Sequence, residues 1–245
     1  EKTLQDKKAF LAAFLILGFF MKIVAEIVHE VLGHGLFVLL FGGKITRLYI
    51  SVLWPYDFSW IGQLPEGITS VQMAWIHAGG ILACLCVSFL IQAFLLWKRK
   101  ISWHFALAFF WLAFWTLVNS TGYLIIGGLA PFGDVDALIT LGVLTNFLSL
   151  TVGLIIFIIG FIALSWILRR IFANVLLPKG ASLSTSLFWL IIPILVTVML
   201  TNPERNLQWA YLPLTFIPTL LSFVMEYFLV LSQQKADANP NNVAQ

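Results

Sequence analysis

Four ionisable side chains crowd into Glu26-Ile-Val-His29-Glu30-Val-Leu-Gly33-His34-Gly35. Neutral imidazoles are good zinc ligands, and a glutamate directly after the first histidine can serve as general base for an attacking water. The common zinc-hydrolase spacing, His-Glu-x-x-His, puts both imidazoles on one helical face. Here the spacing is His-Glu-x-x-x-His, one residue longer. On a regular α-helix an i,i+5 pair diverges by roughly 140°, against about 40° for i,i+4. Both imidazoles can reach one metal only if the helix widens locally. The spacing therefore predicts a π-bulge, with Gly33 giving the backbone freedom.

The element carrying these residues is strongly apolar, as is most of the chain. Of 245 residues, 60% are hydrophobic and only 10% charged, and mean hydropathy is +0.96. Soluble domains are about half apolar and about a quarter charged, so this composition predicts an all-α integral membrane protein. Ionisable groups at membrane depth are costly, which marks His29, Glu30 and His34 as functional candidates. A bilayer core takes about 20 apolar residues per helix. Candidate spans are 9–41, 71–97, 102–129, 139–167, 184–202 and 209–232, six in all, forming one polytopic domain, the fourth with an alternative start near Asn146. The first run is too long for a simple span and is expected to extend beyond the bilayer or to break near Gly33-His34-Gly35. It is longer than a signal-peptide core and reads as a retained helix. The Gly42-Gly43 pair should end it, and the alternation over 44–52 resembles a short strand. Pro55, Gly62 and Pro65 then break the chain into a loop, and the polar segment 233–245 reads as disordered.

Basic clusters at Lys2/Lys7/Lys8, Lys98-Arg99-Lys100 and Arg169-Arg170 with Lys179 fall on one side of a six-span topology. The positive-inside rule then places both termini in the cytoplasm. The net charge of +3 is small and spread over short loops, which argues against a nucleic-acid partner. Cys84 and Cys86, two apart on a helix, point to different sides and make a poor disulfide or zinc clip.

His29-Glu30-Val-Leu-Gly33-His34 is similar to the longer zinc motif of dipeptidyl peptidase III. The wider order of features resembles the site-2 protease family of intramembrane zinc metalloproteases, over about residues 20–140. The features are a zinc motif in a membrane helix, a glycine-rich helix end, and a following strand such as Gly42-Gly43-Lys44-Ile45. After them come a helix with small residues, as in Ala78-Gly79-Gly80, and a Pro-x-x-Asp segment, matched by Pro131-Phe-Gly-Asp134 with Val135 where the family commonly has Gly. The resemblance implies zinc held by His29, His34 and Asp134, with Asp136 the alternative third ligand. Glu30 would be the catalytic base, and the substrate an unwound membrane protein or peptide. Asn119 could serve a substrate carbonyl or oxyanion, or simply bond between helices. Lys22 and Glu26, at i,i+4, read as an intrahelical ion pair, with Glu26 alternatively a supporting group behind the metal ligands. His77 reads as a hydrogen-bonded packing residue, and Glu226 stands isolated. His and carboxylate ligands also suit other divalent ions. The alternative function is a non-catalytic, metal-binding or structural accessory subunit of a larger membrane complex, and a transmembrane metal transporter ranks last.

Overall fold

A computed structural model describes residues 4–52, 59–62, 67–98, 100–200 and 208–237. The protein is mostly helical, with one two-stranded sheet. The first helix runs as α1 (Leu4–Ile27), a π-helical segment (Val28–Gly35) and α2 (Leu36–Leu40). It does not break at Gly33-His34-Gly35: the helix continues through them by widening. The 35 residues Asp6–Leu40 rise about 50 Å, more than the ~30 Å hydrocarbon core needs. Gly42 stops the helix at a φ of +81°, with Gly43 N donating to Val38 O at 2.8 Å. That long-range closing bond is the usual signature of a glycine-terminated helix.

Strands β1 (Arg47–Tyr49) and β2 (Trp60–Gly62) pair antiparallel, with Leu48 opposite Ile61. The strand expected over 44–52 is thus a three-residue core, and Gly62, expected to break the chain, lies within β2. It is tolerated because Arg47 Cβ stands 3.0 Å from where its own Cβ would be. Pro55 and Pro65 lie outside the described residues.

Helices α3 (Ser70–Trp97) and α4 (Trp103–Leu129) follow, then a short α5 (Gly133–Thr140), then α6 (Asn146–Ala173). Of the two starts read for the fourth span, 139 and near Asn146, the later is the one the helix takes. Gly142, at φ +73°, closes α5, and Thr145 caps the new helix by accepting from Leu148 N at 3.2 Å. Helices α7 (Pro178–Leu200) and α8 (Gln208–Asp237) complete the bundle. Helix α8 carries on through 233–237, part of the expected disordered tail; 238–245 lies outside the described residues.

Among the described residues four helices are long and apolar enough to cross a membrane: Asp6–Leu40, α3, α4 and α6. Helix α4 is the central one, 67% of its apolar window being buried against 28–39% for the other three. It packs on α1, α3 and α6. One half of the bundle core is aromatic: Phe110, Trp111 and Phe114 of α4 meet Phe161 of α6 and Phe188 and Trp189 of α7. Glu226 is not isolated: its carboxylate takes a hydrogen bond from Ser182 and pairs with Arg169 Nη1 at 3.2 Å, joining α8 to α6 and α7. Arg170, for its part, donates to the Leu95 carbonyl of α3.

Candidate metal centre

The π segment is what the His29/His34 spacing requires. An i→i+5 hydrogen-bonded turn stacks residue i+5 over residue i. Accordingly His29 Nε2 and His34 Nε2 lie 3.2 Å apart, with the rings nearly perpendicular at 82°. Helix α3 seals this segment at close range. A Cβ on Gly33 would stand 2.4 Å from Gly80 Cα, and one on Gly79 2.7 Å from Gly33 O, so the two backbones touch through glycine alone. A Cβ on Gly80 would fall 2.6 Å from His29 Nε2 and 2.8 Å from His34 Nε2. The missing side chain therefore leaves a cradle directly over both imidazole nitrogens.

Asp134 arrives from the first turn of α5. Its Oδ2 is 3.2 Å from His29 Nε2 and 3.2 Å from His34 Nε2. The three atoms make an equilateral triangle. Tetrahedral zinc with bonds near 2.0–2.1 Å separates neighbouring ligand atoms by about 3.3 Å, so the triangle fits such an ion. The protonation pattern agrees. His34 Nδ1 faces the Ile76 carbonyl at 2.6 Å and, since a carbonyl only accepts, carries the proton there. Nε2, turned toward the carboxylate and His29, is the nitrogen that would offer a lone pair to a metal ion once the ring is neutral. A metal ion satisfies all three atoms at once, whereas one proton bridges only a pair.

Supporting contacts hold each of the three side chains. His77 Nδ1 donates to Asp134 Oδ1 at 3.0 Å, fixing the carboxylate's second oxygen. Burial pushes the Asp134 carboxyl up, but the His34 imidazole and the hydrogen bonds with His29, His34 and His77 outweigh it. They hold the group well below the usual carboxylate range, and a ligand must be ionised. The His29 ring has Cys84 Sγ 3.9 Å from its Nδ1 and Tyr123 stacked on its face, centroids 5.0 Å apart. Asp136 is exposed on the same turn of α5, outside this cluster.

Glu30 is buried beside the ligands. His29, Glu30 and His34 bring their ligand atoms within 4.8 Å of one another and form a group able to hold a metal ion. Asp134 Oδ2 lies 3.2 Å from both imidazole nitrogens, so two carboxylates face the histidine pair: one closes the triangle, and the other lies within 4.8 Å of both rings' ligand atoms. No described residue hydrogen-bonds the Glu30 carboxylate.

Glu26 and Asn119 meet each other one turn away. Asn119 Nδ2 donates to Glu26 Oε1 at 3.1 Å, and Ser59 Oγ donates to Glu26 Oε2 at 2.8 Å. Ser59 in turn accepts from Ser51 N at 3.0 Å, so Glu26 fastens the chain around the sheet to the membrane helix. The expected Lys22–Glu26 pair does not form; Lys22 Nζ is buried with no hydrogen-bond partner among the described residues. The fastening by Ser59 and the Tyr123 stack went unmarked by sequence, whereas His77, expected to be hydrogen-bonded, is so, to Asp134. Only His77 carried a signal, as a histidine set directly before Ala78-Gly79-Gly80. Compared with protein-family models, curated proteins and solved structures, the chain matches none of them.

Proposed function

We propose that this chain is an intramembrane zinc-dependent peptidase, similar in plan to site-2 proteases. His29, His34 and Asp134 hold the ion, and Glu30 is the catalytic base. The observation that carries this reading is the pairing of two arrangements in one buried place. Three ligand atoms converge at 3.2 Å spacing, and a second carboxylate, that of Glu30, with no hydrogen bond from a described residue, stands beside them.

Zinc held there supplies Lewis-acid activation of water and of a scissile carbonyl. The protein's own groups do the rest. Glu30, free of hydrogen bonds from described residues, takes the proton released as water attacks the carbonyl carbon and passes it to the leaving amine. The carbonyl of Ile76 keeps His34 in the tautomer that ligates, and His77 keeps Asp134 turned toward both imidazoles. Glycine at position 80 keeps the space over the imidazoles open for the reacting groups. The packed helices around the centre lower the local dielectric, which strengthens these charge interactions.

A helix hides its carbonyls in its own hydrogen bonds, so the substrate must be unwound before cleavage. Strand β1 would hold such a substrate by taking it as an added strand, since among the described residues β1 is in a sheet with β2 alone. Proline substitutions across 45–50 that left cleavage unchanged would count against strand addition. The topology proposed is six spans, with α7 and α8 as the last two and both termini cytoplasmic.

The test is a comparison of wild type with Glu30→Gln, both purified in detergent and assayed by mass spectrometry on unwound transmembrane peptides. Wild type should cleave and be stopped by chelation. Glu30→Gln should keep its metal and lose at least about 100-fold in turnover. Equal cleavage by both would overturn the assignment of Glu30. Metal without cleavage by wild type would favour the accessory-subunit reading.

A further inference from the structure

The centre is built from two separate parts. His29 and His34 come from the first helix, whereas Asp134 comes from an eight-residue helix 105 residues beyond His29. Glycine contacts with α3 fix the π segment in place. Helix α5 has no such seal against the histidines. It packs on α4 through Val135, whose Cβ lies 2.6 Å from where a Cβ of Gly127 would stand, and His77 holds Asp134 Oδ1. Neither of these contacts touches His29.

Tyr123, on the central helix α4, touches both parts. Its ring is nearly parallel to the His29 imidazole, at 13° with centroids 5.0 Å apart. It also stacks on Phe132, at 19° and 5.2 Å. Between Phe132 and Asp134 stands Gly133, whose φ is +54° and whose Cβ, if present, would meet Tyr123 Cε1 at 2.9 Å. The turn that launches Asp134 is thus moulded on the tyrosine ring, while a metal-binding imidazole rests on the same ring. Tyr123 is itself buried, 6% exposed, so the ring has little room to shift.

We infer that Tyr123 is a positioning residue for the metal centre. Its ring is a rigid spacer that fixes where the Phe132-Gly133-Asp134 turn stands relative to His29, and so sets how tightly the three ligands close on the ion. Stacking and thickness carry this role. The inference rests on the metal-centre reading above and adds to it a residue that acts through the placement of the three ligands.

The structure predicts opposite behaviour for two substitutions. Tyr123→Phe keeps the flat ring and should bind zinc as wild type does. Tyr123→Leu keeps apolar volume but loses the flat face, and should weaken zinc binding about 10–100-fold, the range for groups that orient metal ligands. Gly133→Ala attacks the same contact from the other side and should weaken binding in the same direction.

The experiment uses the full chain in detergent. Zinc affinity is measured by chelator competition, and cobalt is loaded in place of zinc to report ligand geometry through its visible absorption bands. Thermal unfolding of each metal-free protein is followed in parallel. The inference is supported if Tyr123→Leu loses affinity and shifts the cobalt bands, keeps the metal-free Tm, and contrasts with an unchanged Tyr123→Phe. It is overturned if Tyr123→Leu keeps wild-type affinity and spectrum, or if Tyr123→Phe loses as much as Tyr123→Leu. Should Tyr123→Leu not fold, Tyr123→Met, likewise apolar and without a flat ring, decides the matter: wild-type affinity and spectrum overturn the inference, and weakened binding with shifted bands supports it. A folded wild type that binds neither zinc nor cobalt removes the metal centre itself and this inference with it. Tight wild-type binding with an indifferent Tyr123→Leu removes only the role of Tyr123.

Discussion

At the residue scale the centre depends on single atoms whose replacement has a calculable consequence. Gly80→Ala puts a methyl carbon where His29 Nε2 would be 2.6 Å away and His34 Nε2 2.8 Å away. The same change ordinarily favours a helix by about 1 kcal/mol. Gly80→Ala should therefore leave the protein folded but cut zinc affinity at least about tenfold, read by chelator competition; unchanged affinity would mean that no ion sits against these nitrogens. Glu26→Ala acts differently. It leaves the Ser59 hydroxyl and the Asn119 amide buried without their acceptor, and unfolding in detergent should show a loss of about 1–3 kcal/mol. The sequence made His29, Glu30 and His34 legible because their chemistry is local and their membrane setting is costly. Glu26 was harder. Spacing alone paired it with Lys22, but Asn119 and Ser59, both distant along the chain, compete for the same two oxygens and win.

At the scale of elements, the π segment is the device that reconciles an i,i+5 histidine pair with one ligand site. It was legible because an α-helix cannot bring those rings together. Leu32, inside the segment, is 55% exposed, so it can be removed without opening the core. Deleting it restores His-Glu-x-x-His, the spacing at which an α-helix aligns both imidazoles. The deletion should retain zinc binding within about tenfold, whereas an alanine inserted after Leu32 should abolish it. Elemental analysis of both proteins checks the pair, and loss of metal from a folded deletion would show that the π geometry itself is required. The boundary of α5 and α6 was less legible, because the apolar run does not pause there. Gly142 and the Thr145 cap, each acting through backbone geometry, divide it. That division matters for function, since it frees Asp134 from a membrane helix and puts it on a short one that can turn toward the histidines. Asp134 already stood before Asp136 in the sequence reading; residues two apart on a helix face different ways, and α5 buries the first and exposes the second. Tyr123 gave no signal in a chain holding 22 Phe and 10 Trp, where one more aromatic blends into the core.

At the scale of the whole molecule, composition announced a helical membrane protein, and four helices of spanning length and apolarity are present among the described residues. The most enclosed of them, α4, separates two kinds of interior. One is an aromatic core against α6 and α7. The other is a polar seam against the first helix and α3, holding the ligands and their supports. Rigid packing on one side gives the chemistry on the other a fixed frame, and glycine contacts bring the π segment and α3 together at backbone distance. Everything proposed for this protein rests on an ion at the His29–His34–Asp134 triangle. The most direct test is metal content by elemental analysis of detergent-purified protein, wild type beside His34→Ala. The account predicts about one zinc per wild-type chain and essentially none in the folded variant. A well-folded wild type without metal would contradict it and leave the segment a polar packing element.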